Sequence, residues 1–297
     1  MSEIEAKIIE DSINENGNRL TTFVLKYPRF ILAELNTHRV FSRNSASSRA
    51  IPLKKMIEQV RDDPVFPVFW GKNQPGMQSK EELTGEELRF AKTIWLKARD
   101  EAVKSAQQFA VIEVHKQIAN RILEPWMWTY TVLTATDFSN FYSLRLHPDA
   151  QPEIKVLAEK MLEAHENSKP RLVLGTGACD LDDFYDWHLP FVTAEERKKH
   201  STVDLLKFSV ARCARVSYAN HEGTVDLDKD RSLHDKLVES GHMSPSEHQA
   251  IPNLIGKFAN TTSKYMPIRE GNFVGWKQYR KFIVNENRID FKIKSKG

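Results

Sequence analysis

Residues 34–49 constrain this chain more than any other stretch, and they directly follow the apolar run 30–33. They contain three arginines, one histidine and four serines beside a single acidic residue, Glu34. An apolar strand or a buried helical turn that ends in such a cluster brings many hydrogen-bond donors to one place. Arginine presents a planar fork that suits phosphate or carboxylate, and serine adds small hydroxyls. The stretch therefore predicts a site for an anionic ligand rather than a solvated loop.

Composition sets the broad class of the protein. The 297 residues are 40% hydrophobic and 28% charged, which is typical of a globular chain with a large core. The formal charge of +3 is too small to indicate nucleic-acid binding. Because we find neither a membrane-length apolar run nor the pattern of a signal peptide, we expect a cytoplasmic protein without a membrane partner. The two cysteines, Cys179 and Cys213, indicate neither a disulfide framework nor a metal site.

Local patterns predict an α/β (α+β) fold, and a chain of this length can form one enlarged domain or two small ones. Residues 6–11 and 19–25 are predicted strands around the hairpin signal Asn16-Gly17. The second strand is expected to run on into residues 30–35. Residues 126–133 fit a buried helix or a strand equally well.

Helices are predicted where apolar residues recur at helical spacing. The longest begins at the capping-box pair Thr84 and Glu87, and positions 88, 91, 95, 98 and 102 are expected in the core. We interpret residues 52–83 as a loop insert, irregular over 61–83, where proline, glycine and aromatic residues are frequent. Further helices are predicted at 111–123, from Pro152 to Leu162, after the Thr193 and Glu196 capping pair, at 205–214, and at 228–240 with Gly241 as the C-terminal cap.

The spacing within the arginine-rich stretch resembles a known signature. His38-Arg39, seven residues, and then Ser47-x-Arg49 is similar to the Arg-His-Arg, seven residues, Ser-x-Arg motif of the flavin-dependent thymidylate synthases. Thr37 stands here in place of the first arginine of that motif.

Further segments resemble the same family. Arg121-Ile-Leu-Glu-Pro is similar to its Arg-Ile-Val-Leu-Pro segment, and 140–154 is similar to its Asn-Phe-Leu-x-Leu-Arg…Ala-Gln-x-Glu-Ile segment. Residues 215–218 and 241–248 resemble Arg-Val-Ser-Tyr/Phe and Gly-His-x-Ser/Thr-Pro-x-Glu-His. The last two precede the arginine cluster in the family but follow it here. This order predicts a circular permutation that places flavin-binding segments in 206–284, where 249–284 could supply a replacement strand.

The resemblance implies that residues 1–297 form a single domain, with a mixed β-sheet flanked by long helices, and it implies a defined reaction. FAD would assist transfer of a one-carbon unit from methylene-tetrahydrofolate to C5 of a pyrimidine deoxynucleotide monophosphate, with dUMP to dTMP favoured and NADPH as cosubstrate. A homotetramer with active sites shared between subunits is also implied. By this resemblance the substrate contacts are Glu34, Ser45, Ser47, Ser48, Arg49, Arg121 and the catalytic Arg145, and the flavin contacts are His38, Arg39, Val40, Asn140, Ser217, His242 and Ser244.

Departures from the family pattern keep other activities open. Glu34 stands where a glutamine is usual, and a carboxylate that only accepts would suit the amino group of cytosine better than the carbonyl of uracil. Alternatives are therefore a hydroxymethylase acting on dUMP or dCMP, a dCMP methylase, and a non-catalytic nucleotide- or RNA-binding protein. Neither Cys179 nor Cys213 has the Pro-Cys-His context of a nucleophilic thymidylate synthase, so we expect no covalent catalysis by cysteine.

Overall fold

A computed structural model describes residues 2–175, 186–216, 226–253, 270–284 and 286–287, and it shows a mixed α/β fold. Its main sheet is built from β1 (Glu5–Asn14), β2 (Arg19–Pro28), β3 (Ser42–Ser45), β4 (Trp128–Ala135) and β5 (Arg171–Val173). The strand order is β3-β4-β2-β1-β5. Neighbouring strands are antiparallel except β1 and β5, which are parallel. The predicted fold class is therefore confirmed.

Helices pack around this sheet, and the helix Pro152–Asn167 lies against β1 and β2. The predicted helices at 152–162, 205–214 and 228–240 are confirmed, and so is the capping box of Thr193 and Glu196. The α-helices are α1 (Leu32–Leu35), α2 (Leu53–Asp62), α3 (Gly85–Val111), α4 (Lys116–Ala119), α5 (Ser139–Arg145), α6 (Pro152–Asn167), α7 (Ala194–Lys199), α8 (Thr202–Arg215) and α9 (Leu227–Glu239).

The predicted hairpin of β1 and β2 is confirmed, and both strands are longer than expected. Gly17 adopts a φ of 81° in the turn, which glycine reaches without steric cost. The expected continuation of β2 into 30–35 is wrong, because a 3-10 turn and α1 follow Pro28. Ile31 and Leu35 are fully buried and stand four residues apart, so a helical turn buries both on one side.

The insert is not wholly a loop. Residues 53–62 form α2, because Met56, Ile57 and Val60 recur at helical spacing and are buried. Residues 63–84 contain no helix, and an isolated bridge joins Gly71 to Glu82, so the irregular part of the prediction holds.

The helix predicted over 111–123 is confirmed only from residue 116 onwards and is not a continuous α-helix. Helix α3 ends at Val111, and Glu113 with a φ of 56° separates it from the short α4. A 3-10 helix, Asn120–Trp126, then accommodates Pro125, and the ambiguous segment after it forms β4.

Helix α3 is also less buried than its pattern suggested. Thr84 is its N-cap residue but makes no side-chain capping bond, so the predicted capping box does not form. The expected core positions 88, 91, 95 and 102 are half-buried and Ala98 is exposed, whereas Val103 and Ala106 are buried. Phe90 and Ile94 remain exposed.

The two faces of the main sheet differ in chemistry. We call one the apolar face, where Phe23, Leu25 and Leu133 pack with buried residues of α6. We call the other the polar face, where Ser12, Thr22, Ser42 and Thr134 are buried. Side chains from residues 188, 248 and 278 hydrogen-bond to that face.

The last described segments form a small sheet of their own. Strands β6 (Ala250–Pro252) and β7 (Trp276–Gln278) pair antiparallel. Within the described residues this pair stands apart from the five-stranded sheet, so the replacement strand expected from 249–284 is not seen in it. In the part of the chain that the structure covers, we find no helix with the length and apolar character that crossing a bilayer requires.

Candidate functional site

The predicted residues Glu34, His38 and Arg145 meet in one cluster. Arg145, the last residue of α5, donates from Nε to Nε2 of His38 at 2.9 Å. Its Nη2 donates to Oγ1 of Thr37 at 3.3 Å, and its Nη1 lies 3.5 Å from Oε2 of Glu34. All three partners lie between residues 34 and 38, in α1 and directly after it. They therefore fix the guanidinium from one side.

The imidazole of His38 is buried between aromatic rings. Its ring centroid lies 5.8 Å from that of Phe41, in a stacked arrangement, and 5.0 Å from that of Phe141, edge to face. Burial lowers the pKa of His38, and the charges of Arg145 and Arg43 lower it further. Since Nε2 accepts from Arg145, the neutral ring carries its proton on Nδ1. His38 therefore holds Arg145 as a neutral acceptor.

The first and last motifs of the chain come together at β3. Nε2 of Gln278 donates to Oγ of Ser42 at 3.2 Å and to the carbonyl of Glu247 at 2.9 Å. Nδ2 of Asn272 donates to the carbonyl of Val40 at 2.8 Å. Segments more than two hundred residues apart thus line one region of the surface.

Four of the polar residues among the predicted flavin contacts are exposed. The side chains of Arg39, Asn140, His242 and Ser244 are all exposed, and so are available to a ligand. His242 follows Gly241, whose φ of 74° ends α9 and confirms the predicted cap. Ser217 lies outside the described residues.

The serines of the arginine-rich stretch are mostly engaged with the protein. Oγ of Ser45 hydrogen-bonds Oγ1 of Thr131 at 2.8 Å, and the carbonyl of Ser47 accepts from the backbone N–H of residue 50. Ser48 is buried and donates to Glu124, whereas Arg49 is exposed. The structure therefore does not gather these residues into one pocket with Arg145.

A cavity of about 860 Å³ lies on a different side of α1 from the Arg145 cluster. Ala33 and Asn36 face it, whereas Glu34, Thr37 and His38 contact Arg145. Of the predicted substrate contacts, all of which lie within the described residues, Arg121 alone lines this cavity. Its wall consists of Arg29, Phe30, Leu32, Ala33, Asn36, Pro67, Phe69, Trp95, Arg121, Glu124, Pro125, Gln151, Pro152 and Glu153.

Glu124 is a site residue that sequence reasoning missed. Its Oε1 accepts from Oγ of Ser48 at 2.8 Å and from Nη1 of Arg121 at 3.4 Å, and Nη2 of Arg29 lies 3.8 Å away. The available signal was that Glu124 stands at the leucine of the family's Arg-Ile-Val-Leu-Pro segment.

Comparison with known proteins decides the family. The sequence model of the family described as thymidylate synthase complementing protein matches residues 19–171, just over half of the chain. The chain belongs to the thymidylate synthase complementing protein family. The resemblance drawn from the motifs is therefore confirmed, as is the prediction of an enzyme similar to the flavin-dependent thymidylate synthases.

Solved structures of low identity are also similar to this member of the thymidylate synthase complementing protein family. A UMP/dUMP methylase, PolB of Streptomyces cacaoi bound with 5-Br UMP, is 17% identical, with 56% of this chain and 89% of that chain covered and a TM-score of 0.45. The flavin-dependent thymidylate synthase ThyX of Helicobacter pylori, complexed with FAD and dUMP, is 18% identical, with 49% and 67% covered and a TM-score of 0.34. A comparison with curated protein sequences finds no match.

A buried hydrogen-bonded chain crosses the polar face of this family member and was also missed from sequence. Nδ1 of His188 lies 2.9 Å from Oγ of Ser12, and its Nε2 lies 2.7 Å from Oγ1 of Thr22. That hydroxyl lies 2.7 Å from Oγ1 of Thr134, which lies 2.8 Å from Nδ1 of His248. Burial lowers the pKa of His248 to about 3 and that of His188 well below its usual value. Both imidazoles are therefore neutral in the folded protein.

Cys213 is a buried free thiol, and burial raises its pKa, which disfavours a thiolate nucleophile. Cys179 lies outside the described residues. Within those residues, no three His, Cys, Asp or Glu side chains gather as metal ligands.

Proposed function

We propose that this enzyme uses FAD to transfer a one-carbon unit from methylene-tetrahydrofolate to C5 of a pyrimidine deoxynucleotide monophosphate, most simply dUMP to dTMP, with NADPH as the reductant. Membership of the family supports one-carbon transfer to a pyrimidine nucleotide. The observation that carries the proposal is the cluster of Arg145, His38 and Glu34, next in sequence to the exposed Arg39, together with the packing of the last motif against β3.

Arg145 is the residue we assign to the pyrimidine. When bound, reduced flavin and methylene-tetrahydrofolate supply the hydride and the carbon unit. Arg145 stabilises negative charge on a ring carbonyl as the pyrimidine becomes enolate-like. His38 and Thr37 hold the guanidinium in place before substrate arrives, so little reorganisation is needed during reaction.

The donor set fits a flavin dinucleotide. Arg39, His242 and Ser244 are exposed, and guanidinium, imidazole and hydroxyl groups suit the oxygens of a pyrophosphate. We assign them to FAD together with Val40, Asn140 and Ser217. The contacts of β3 with the 3-10 helix Ser244–Glu247 support the proposed permutation, because they bring both motifs to one region.

The arrangement also supports a homotetramer with shared active sites. Arg121 faces the cavity, and Arg145 lies on a different side of α1, so a second copy could complete a site that holds both. Exposed Phe90 and Ile94 on α3 provide apolar area for such contacts. Mixing inactive Arg121→Ala and Arg145→Ala proteins should restore activity if sites are shared.

Glu34 supports dCMP as a second candidate substrate. Its carboxylate lies 3.5 Å from Arg145, which places it within reach of a base held by that arginine. An acceptor there favours the amino group of cytosine. Competition of dUMP and dCMP for the wild type and for Glu34→Gln separates the two, because an unchanged ratio removes the case for dCMP.

The reaction itself is tested by product analysis. Purified protein is incubated with FAD, NADPH, methylene-tetrahydrofolate and either dUMP or dCMP, and the nucleotide is examined by mass spectrometry. A methylated nucleotide supports the proposal, whereas a hydroxymethylated nucleotide shows that the enzyme is a hydroxymethylase. Absence of a flavin spectrum together with absence of any C5 product overturns it.

The buried free thiol of Cys213 supports the further proposal of a reducing, cytoplasmic location.

A further inference from the structure

The cavity that Arg121 lines contains a carboxylate held between two arginines. Glu124 accepts from Ser48 and Arg121 and lies 3.8 Å from Arg29. Its side chain is 26% exposed, so the group is partly accessible from the cavity. Such a residue is unexpected beside a phosphate-binding arginine, because a carboxylate repels a phosphate.

The contacts of Glu124 leave one oxygen for a ligand. The hydrogen bonds of its carboxylate to described residues are made by Oε1, and so is the approach of Arg29. A carboxylate has about four acceptor positions, so Oε2 can accept further hydrogen bonds. Since an ionised carboxylate cannot donate, its complement on a nucleotide is a hydroxyl or an amino group.

The two arginines are held to different degrees. The side chain of Arg121 is 56% exposed, and its hydrogen bond to Glu124 is long, at 3.4 Å. Arg121 can therefore turn towards a phosphate. Arg29 is 18% exposed and donates to the carbonyl of Ala46 at 3.3 Å. Arg29 therefore stays with Glu124 and offsets its charge while Arg121 binds the phosphate.

The sugar of a nucleotide monophosphate is bonded directly to the phosphate. Because Nη1 of Arg121 lies 3.4 Å from Oε1 of Glu124, a phosphate on Arg121 brings the sugar within reach of Glu124. The base then extends away from the sugar towards Arg145 of a second copy, in agreement with the shared site of the proposed function.

We propose that Glu124 is a specificity-determining residue that accepts a hydrogen bond from a sugar hydroxyl of the nucleotide. The inference rests on the proposed function, because that function assigns Arg121 to the phosphate. It adds recognition of the sugar to a site whose family pattern carries leucine at this position.

Three ligands with the same base and phosphate test the proposal by calorimetry: UMP, dUMP and 2′,3′-dideoxyuridine monophosphate. The wild type should bind at least one hydroxyl-bearing nucleotide about tenfold or more tightly than the dideoxy form, since the hydrogen bond has a charged acceptor. Glu124→Gln should reduce that ratio to about twofold or less. Glu124→Gln also changes the electrostatic attraction of the site for phosphate. Because all three ligands carry the same phosphate, this change cancels in the ratio of their affinities.

Glu124→Leu, which introduces the leucine of the family segment, should lose the ratio as well. Glu81→Gln, which changes an exposed carboxylate that does not line the cavity, is the matched control and should keep the ratio. A wild type without preference for hydroxyls overturns the inference however the variants fold, and so does an unchanged ratio in folded Glu124→Gln. If none of the three nucleotides binds the wild type, the proposed function fails as well, whereas nucleotide binding with an insensitive ratio overturns the role of Glu124 alone.

Discussion

The apolar and polar faces of the main sheet stabilise this protein by different means. On the apolar face, Phe23 and Leu133 pack against Leu157 and Met161 of α6 in one hydrophobic cluster. On the polar face, hydroxyls of Thr22 and Thr134 join buried imidazoles in a hydrogen-bonded chain. Burial of apolar area is roughly independent of orientation, whereas hydrogen bonds require fixed partners.

This difference separates stability from specificity. The apolar face contributes mainly through its large hydrophobic cluster, because each buried side chain removes apolar area from water, although Leu20 and Val132 are also buried on the polar face. The polar face supplies less per residue but specifies which segments dock, since a misplaced segment would leave buried donors and acceptors unpaired. The segments that dock there carry the last family motif, so the polar face positions part of the candidate site.

Neighbouring residues of β2 allow the first test of this comparison. Phe23 faces the apolar face, is fully buried, and contacts the ring of Phe138 at 5.5 Å. Phe23→Ala should lower the free energy of unfolding by about 3–5 kcal/mol, because it removes a large side chain and leaves a cavity. Urea unfolding followed by circular dichroism measures the loss. A loss below about 1 kcal/mol would show that the apolar face does not dominate stability.

The next residue along the same strand tests the other face. Thr22→Val keeps the shape of the side chain but removes the hydroxyl that lies between His188 and Thr134. Leaving these buried groups unpaired should cost about 1–3 kcal/mol, less than Phe23→Ala. The same urea experiment measures it. Thr93→Val on exposed α3 is the control for the change of residue type, and equal losses at both positions would contradict a role for the buried chain.

Acid should weaken the polar face first. The pKa values of His188 and His248 are lowered in the folded protein, so below about pH 6.5 only the unfolded chain takes up their protons. The stabilisation is therefore complete above pH 6.5 and is lost as the pH falls. Arg171 and Arg197 act in the same direction, because their charges also disfavour protonated His188.

The measurement is the slope of the unfolding free energy between pH 6.5 and about 5, a window above the usual carboxylate pKa values. His248→Gln should reduce this slope relative to the wild type. His165→Gln is the control on the apolar face, where His165 packs near Phe23. Burial lowers the pKa of His165 as well, but its side chain is only half-buried, so this variant should reduce the slope less than His248→Gln. If only the control changes the slope, the polar face is not the acid-sensitive one.

Elements with a local signal were predictable from the sequence. The hairpin had Asn16-Gly17, α6 had Pro152 at its start, and α9 had Gly241 at its end. Helix α2 was not predicted, because the residues downstream of it are rich in proline and glycine, which favours a loop. The break after α3 depends on Glu113 in a left-handed conformation, which a glutamate in the sequence does not predict.

The contacts of the candidate site also divide into those that sequence motifs predict and those that they do not. The contacts of Arg145 with His38 and Glu34 join two recognisable motifs, so their meeting was expected. The contact of Ser48 with Glu124 spans 76 residues, and that of Ser12 with His188 spans 176. Neither pair belongs to a shared motif, and only the folded topology brings them together.

Arg145 should have the smallest effect on stability and a large effect on function. Arg145 is 20% exposed and pairs with a 37% exposed Glu34, so the ion pair should contribute no more than about 1 kcal/mol. Arg145→Ala should therefore unfold within about 1 kcal/mol of the wild type, far less than Phe23→Ala. Turnover should fall by about a hundredfold or more, because a donor that stabilises developing charge is lost. Arg145→Lys keeps the charge without the fork that holds His38 and Thr37, so it should recover only part of the activity. If Arg145→Ala instead lowers stability as much as Thr22→Val and leaves turnover per folded molecule unchanged, Arg145 belongs with the buried structural groups rather than with the site.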